Sequence, residues 1–529
     1  MVHNQYDSFS MYPMFINSLP SRLISVLSSA GALVRRVMPL AFKTSLIVAL
    51  SVCMTQVSAT DDVDTVSTNS TSNLPELGDS ASAYLNKRQE EQIGKQFLRQ
   101  LLASRNYVND PELRYYINEL GAKVGATANL NGLQLHFNLL REKTLNAFAV
   151  PGGYIVFHTG LILTTETESE LASVVGHEIA HLSQRHLPRM IAKAEASKLP
   201  TTAAIIASLL IGGQVGVAGV TLANANLISN QLAYSREFEK EADAIGIQMM
   251  SNSGFDPQGT ASFFDKLQRY TLVTSDDVPE FLRSHPLSYT RVAEAESRLA
   301  ALPKQRHSSS IEFHLVKAKI RALHSDRPEQ AQRELIQQIE KSEGFEKIAG
   351  RYGLALSQVR QRKYEEAIES LRELVKSHPE NATLIIGLSN ALAESGDSTE
   401  GIQLLKELSS KQAEKPYIAH YLIDALLGDS QYAEAKKLTR YQLRRHPEDF
   451  RLFLKLSKAN VGLEQLAEAH QADAEYLAAI GRYESALGSL KLALRDNADN
   501  SSNLKQSIEA RIEQIKRITT ADKRGQKRG

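Results

Sequence analysis

His177, Glu178 and His181 stand within residues 177–181 of the stretch "SVVGHEIAHLSQRH" (173–186). On a helix, residues four apart project from one face, so the two imidazoles can share a cation. Glu178 then lies beside them, within reach of a water on that cation. A zinc ion held this way would acidify the water, and the carboxylate would take its proton as the oxygen attacks a peptide carbonyl. Two histidines leave the site one protein ligand short. The pattern HExxHxxGxxH would supply a third histidine locally, but Gln184 and Leu187 occupy the Gly and His positions, and His186 falls one residue early. The third ligand must come from elsewhere in the chain.

A second stretch, "SREFEKEADAIG" (235–246), offers Glu237, Glu239, Glu241 and Asp243. Glu239 and Asp243 are again four apart, so both can face one site, one on the metal and one holding a ligand. The segment between the two stretches is uncharged from Leu199 to Ser235 and rich in glycine, with Gly212, Gly213, Gly216 and Gly219 at its middle. It reads as a hairpin or helical pair near the site or the membrane surface, with a membrane span as the competing reading.

The elements that must position these residues follow from periodicity. "KRQEEQIGKQFLRQLL" and "DPELRYYINELGAKVGA" have helical spacing. "LQLHFNLL", with Leu133, Leu135, Phe137 and Leu139 alternating, and "GGYIVFHTG" read as short strands joined by "REKTLNAFAVP". Thr167, with Glu170 three residues on, is a capping box that starts the helix carrying His177. After Gly254, a C′ residue, Asp256 and Pro257 are expected to open the next helix. Beyond residue 308 the chain becomes helical hairpins. Tyr364 and Tyr432, Ala367 and Ala435, and Pro379 and Pro447 form pairs two 34-residue periods apart, and Leu466 continues the step. Period and residue types resemble tetratricopeptide repeats, arrays whose concave face binds peptides or protein partners.

Composition narrows the function classes. A formal net charge of +1 gives no reason to expect nucleic acid. The single cysteine, Cys53, excludes an internal disulfide and a cysteine-rich metal site, so any metal is held by His, Asp or Glu. Arg35, Arg36 and Lys43 precede the apolar run Thr44–Val52; Val57, Ser58 and Ala59 and then Asp61 and Asp62 follow. That order reads as a secretory signal cleaved near Ala59, with Met38 as an alternative start. The expected organisation is an extension and signal (1–59), a linker (60–84), a metallopeptidase domain (85–307) and a repeat domain with a basic tail (308–529). The fold class is mainly α: a zincin-type α+β domain with a small sheet, then an α-helical solenoid.

Five stretches together carry a family resemblance: "NAFAVPGGYIVFHTGLI", "LASVVGHEIAHLSQRH", "SREFEKEADAIG", "SGFDP" and "SHPLSYTRVAEAESR". In this order, followed by the repeats, the chain resembles the exported, repeat-bearing members of peptidase family M48. The resemblance implies one zinc on His177, His181 and Glu239, with Glu178 as base. It gives Asp243 a catalytic role, as proton donor or as support for a ligand. It also implies a periplasmic enzyme that assists outer-membrane β-barrel assembly, degrades stalled or misfolded outer-membrane proteins, and meets the assembly machinery through its repeats. A repeat-based chaperone with latent proteolysis is the alternative. Two further expectations concern "PGGYIVF", where Gly152, Gly153 and Tyr154 would offer a strand edge to an extended substrate, and His285. The latter would donate to the oxyanion or take the open metal position and keep the enzyme latent.

Overall fold

The computed structural model describes residues 80–196, 235–273, 279–497 and 502–528. The signal-like segment before Ala59 and the uncharged stretch, apart from Ser235, lie outside the described residues. Among the described residues, no helix is long and apolar enough to cross a membrane.

The chain opens with α1 (Lys87–Ala103), capped by a full capping box at Asn86, and α2 (Pro111–Gly125), whose first amides Asp110 caps. Three strands follow: β1 (His136–Leu140), β2 (Ala147–Val150) and β3 (Tyr154–His158). They form a sheet of order β1-β3-β2, with β1 parallel and β2 antiparallel to β3. β2 falls within the segment read above as a connection. Four residues are too few for alternation to be visible, so the pairing partner decides the strand. The structure also corrects the expectation for Gly152, Gly153 and Tyr154. β3 is the central strand, hydrogen-bonded on both sides and buried throughout, so it has no free edge. Gly152 and Gly153 form the turn from β2 to β3 at φ of 87° and 90°. A Cβ on Gly153 would overlap the Gln134 carbonyl, which makes glycine obligatory there.

Next come α3 (Thr159–Thr164), α4 (Glu168–Ser183) and α5 (His186–Ala196), then α6 (Arg236–Asn252), α7 (Gly259–Val273), α8 (Glu280–Ser284) and α9 (Tyr289–Ala301). Thr167 caps α4 by accepting from the Glu170 amide. Only half of the expected box forms, because the Glu170 carboxylate turns to the Glu166 amide, Ser262 and Lys266. Gly254 takes positive φ as expected, but α7 starts at Gly259 because Asp256 spends its side chain on a turn, accepting from the Gln258 amide.

The remaining helices are α10 (Ile311–His324), α11 (Pro328–Lys341), α12 (Gly344–Arg360), α13 (Tyr364–Ser377), α14 (Ala382–Ser395) and α15 (Ser398–Lys411). They continue as α16 (Pro416–Gly428), α17 (Tyr432–Arg445), α18 (Arg451–Gly462), α19 (Leu466–Ala479), α20 (Tyr483–Arg495) and α21 (Ser502–Arg528). The starts of α13, α15, α17 and α19, at residues 364, 398, 432 and 466, keep the 34-residue step. So do the left-handed residues before them, Arg362, Gly396, Ser430 and Glu464. Only one is glycine, so the turn geometry persists where the residue type does not reveal it.

Just beyond residue 308 one helix is shared by the two parts. α10 presents Phe313, Val316 and Ile320 to the core of the first part, and Leu315, Ala318 and Ala322 to the core of the repeats. Each triplet has helical spacing, so one helix serves two cores on two faces. Glu168 pins the approach to it, accepting from Tyr116 Oη, Ser310 Oγ and the Ser310 amide.

The first helix of successive hairpins faces α2. Thr383 on α14 donates to Glu112, Tyr421 on α16 donates to Asp110 at 3.1 Å, and Arg451 on α18 donates to Asn109 at 2.7 Å. Tyr417 packs on Tyr115 with ring centroids 4.8 Å apart. At the centre, buried Lys319 on α10 lies 2.8 Å from Asp110 and 2.6 Å from Glu112, and donates to Tyr421 Oη at 2.9 Å. Burial opposes the ammonium charge there, but Asp110 and Glu112 outweigh it and hold Lys319 well above its ordinary pKa. The chain's own α2 therefore occupies part of the repeat surface on which partners were expected.

β3 ends in fully buried His158, whose Nδ1 is hydrogen-bonded to Thr144 Oγ1 at 2.7 Å. Burial holds its pKa down to about 4. The unfolded chain takes up a proton near pH 6.5 that the folded chain refuses, so stability falls as pH drops from 6.5 toward 4. The expected loss from this group is roughly 2–3 kcal/mol by pH 4.5. Urea unfolding at pH 7 and 4.5 checks it: the drop should shrink in His158→Gln, and an unchanged drop would remove His158 as its source.

Candidate active site

The helix α4 is buried along its whole length from Glu168 to His181, running under the sheet and across α6. The crossing is tight because both helices have glycine there. A Cβ on Gly176 would meet the Gly246 carbonyl at 3.1 Å, and one on Gly246 would meet the His177 amide at 3.0 Å. The close approach brings Glu239, two turns before Gly246, onto the two histidines.

Four side chains converge. His177 Nε2 is 3.0 Å from His181 Nε2 and 3.4 Å from Glu239 Oε2, and His181 Nε2 is 3.3 Å from Glu239 Oε1. His285, just after α8, brings its Nδ1 to 3.2 Å from His177 Nε2 and 3.0 Å from Glu239 Oε1. All four are buried, and they form a group able to hold a metal ion. Nitrogen and oxygen donors about 2.0 Å from one tetrahedral ion lie about 3.3 Å apart; these separations cluster round that value. The electrostatics agree. Burial works against charge on both histidines: at His177, Glu239 and Asp243 overcome it and raise the pKa to about 10, whereas His181 is held well below the ordinary imidazole value. Despite burial, His285, His177 and Arg291 hold Glu239 well below the ordinary carboxylate range. The donor set fits a cation.

Asp243 lies on the far side of His177, its Oδ1 3.0 Å from Nδ1. That contact holds the imidazole by Nδ1 and leaves Nε2 facing His181 and His285. Arg291, in the first turn of α9 and buried, holds Asp243 through two bonds, Nε to Oδ2 at 2.7 Å and Nη2 to Oδ1 at 2.8 Å. Its Nη1 lies 2.7 Å from Glu239 Oε2. Sequence reasoning gave Arg291 no role, although it stands within "SHPLSYTRVAEAESR". The signal was a lone arginine at the start of an amphipathic helix, six residues after His285. It likewise weighed His186 only as a ligand and missed that His186 Nδ1 lies 2.8 Å from His181 Nδ1.

Glu178 is fully buried, 3.5 Å from His285 Nε2, with the Ala149 backbone of β2 beside it. Burial pushes its carboxyl up, against His285 and His177, which favour the anion. A small cavity behind His177 is lined by Phe263, Phe264 and Phe281 together with Asp243 and Arg291. Of the expected site residues, the fold gathers His177, Glu178, His181, Glu239, Asp243 and His285. It leaves Gly152, Gly153 and Tyr154 outside the group and brings β2 against α4 instead.

The sequence pattern of peptidase family M48 matches residues 111–299, and that of the tetratricopeptide repeat matches residues 352–415. The chain is 31% identical over 478 residues to the beta-barrel assembly-enhancing protease of Escherichia coli (strain K12), covering 90% of this chain and 96% of the relative. The Yersinia pestis protein of the same name is 32% identical, covering 86% of this chain and 94% of the relative. A mitochondrial metalloendopeptidase of Schizosaccharomyces pombe is 29% identical over 37% of this chain and 55% of its own length. With its His-His-Glu-His group buried where two helices cross, the chain is a metalloendopeptidase belonging to peptidase family M48, joined to a tetratricopeptide-repeat domain.

Proposed function

We propose that the metal is zinc, one per chain, held by His177, His181 and Glu239. The observation that carries this reading is the convergence of three buried donors, two nitrogen and one oxygen, from two crossing helices. When bound, zinc supplies Lewis-acid polarisation of the scissile carbonyl and acidifies water. Glu178 takes the proton of the attacking water and returns it to the leaving amine, from a buried position where water competes little. Asp243, held by Arg291, fixes the ring of His177. The outer edge of β2, from Ala147 to Val150, takes the substrate in extended form. It is the strand bordering Glu178, and among the described residues it pairs with β3 on its inner edge alone.

His285 serves as a fourth donor. Catalytic sites keep one position open, whereas four protein donors close a site. With His285 seated on Glu239 and His177, the enzyme is latent, and substrate enters as His285 leaves. This supports the regulatory reading over the oxyanion reading, since Nδ1 already faces the ligand atoms.

The relatives named beta-barrel assembly-enhancing protease support a role in the quality control and assembly of outer-membrane β-barrel proteins. The protein acts after export, with the signal cleaved near Ala59, and is periplasmic. Its substrates are stalled or misfolded outer-membrane proteins, and the repeat domain meets the assembly machinery. The uncharged stretch 199–235 gives peripheral membrane contact. The competing reading, a repeat-based chaperone with latent proteolysis, draws support from the closed position of His285.

Purified protein is expected to carry zinc at one ion per chain. Chelation should abolish cleavage of an unfolded outer-membrane protein, and added zinc should restore it. Undiminished cleavage by metal-free protein would defeat this reading.

A further inference from the structure

A histidine that ligates through Nε2 carries its hydrogen on Nδ1, and that hydrogen needs an acceptor that fixes both tautomer and ring orientation. For His177 the acceptor is the Asp243 carboxylate. The partner of His181 is a second imidazole, His186, with the two Nδ1 atoms 2.8 Å apart. Only one assignment satisfies this contact with His181 on the metal. His181 Nδ1–H donates, His186 Nδ1 accepts, and the hydrogen of His186 sits on Nε2, 3.3 Å from Glu241 Oε2.

The chain builds this contact against its local geometry. Had α4 continued, His186 would stand five residues beyond His181 and point about 140° away from it. Instead Arg185 adopts a left-handed backbone, at φ 52°, that ends α4 and turns His186 back beneath His181. An arginine in that conformation is strained and persists where its surroundings over-determine it. Here its guanidinium is tied to Ser82 Oγ at 2.7 Å, to the Leu85 carbonyl at 2.7 Å and to Glu90. His186 is itself fully buried and stacks on Phe238, at 15° between ring planes and 4.7 Å between centroids. Phe238 precedes Glu239 on the same helix, and Arg189 covers it at 4.7 Å while pairing with Glu241 at 3.0 Å.

We propose that His186 is the positioning residue for His181: its Nδ1 accepts the Nδ1 hydrogen of His181 and so holds Nε2 toward the metal. An imidazole stands here where a carboxylate stands behind His177, and the Glu241 carboxylate lies 3.3 Å beyond it. The proposal rests on the zinc reading above, and the two fail differently. Wild-type protein that takes up no zinc defeats the zinc reading, whereas the variants below address His186 alone.

Full-length wild-type, His186→Phe and His186→Asn proteins are compared for zinc affinity by competition with a chromophoric chelator. Thermal unfolding of each metal-free form tests its fold. Phe keeps the stack on Phe238 and removes the acceptor; Asn places an acceptor oxygen near the position of Nδ1. His186→Phe is expected to bind zinc about 10–100-fold more weakly, and His186→Asn to stay close to wild type. Wild-type affinity in His186→Phe would overturn the proposal, as would equal loss in both variants, which would make His186 a packing residue. Should His186→Phe not fold, nitrogen-15 imidazole spectra of the zinc-loaded wild type decide. A bare Nδ1 and a protonated Nε2 on His186 support the proposal, and a hydrogen on its Nδ1 overturns it.

Discussion

Replacing Glu178 by Gln is expected to lower kcat for peptide hydrolysis by about 10²–10⁴-fold, the range ascribed to a positioned general acid–base group. KM and zinc content should change little. Gln is nearly isosteric, so buried α4 keeps its packing, but an amide cannot take a proton from water. Glu178 is also none of the atoms that converge on the metal: its carboxylate lies 3.5 Å from His285 Nε2, toward β2. Steady-state cleavage of an unfolded client, with zinc content measured beside it, checks both halves. Persistent cleavage would remove Glu178 from the mechanism, and loss of zinc would make its role structural. The same variant separates the two readings of function in the native host. Lost degradation with intact β-barrel assembly favours the chaperone, whereas loss of both favours the protease.

The second large effect lies far from the metal. Lys319→Met is expected to destabilise the chain by about 3–5 kcal/mol, because it leaves Asp110 and Glu112 buried without their cation. Both carboxylates sit at the start of α2 and hold the repeat helices through Tyr421 and Thr383. The damage should therefore appear first as loosening between the two parts, seen as new proteolytic nicks near residues 307–310. Adding Glu112→Gln should recover part of the loss by removing one of the two stranded charges. Urea unfolding of wild type, single and double variants measures it. A single variant within 1 kcal/mol of wild type would make the network dispensable.

Much of the site was legible in the residues because its first members are local. His177 and His181, and likewise Glu239 and Asp243, are pairs on single helices, and a helix places i and i+4 together whatever surrounds it. The repeats were legible for a similar reason: a 34-residue period is written along the chain, and helix starts at 364, 398, 432 and 466 follow it. Where reading failed, the deciding contact was distant. β2 is four residues whose strand character comes from pairing with β3. Its presence moved the free edge away from Tyr154. Arg291 gains its role only because α9 packs on α6, which puts its guanidinium on Asp243 and Glu239.

The sequence by itself determined the chemistry on offer: two imidazoles, a base beside them, a carboxylate pair, and a helical array to follow. Those are properties of residue type and short-range spacing, which the backbone geometry of a helix preserves. Only the tertiary structure decided how each group is used. It put Asp243 behind His177, turned His186 under His181 through a left-handed Arg185, and brought His285 against His177 and Glu239. It also packed α2 against the first helices of the repeats. Each depends on contacts between residues far apart in the chain or on one backbone angle held by such contacts, and local periodicity carries no information about either.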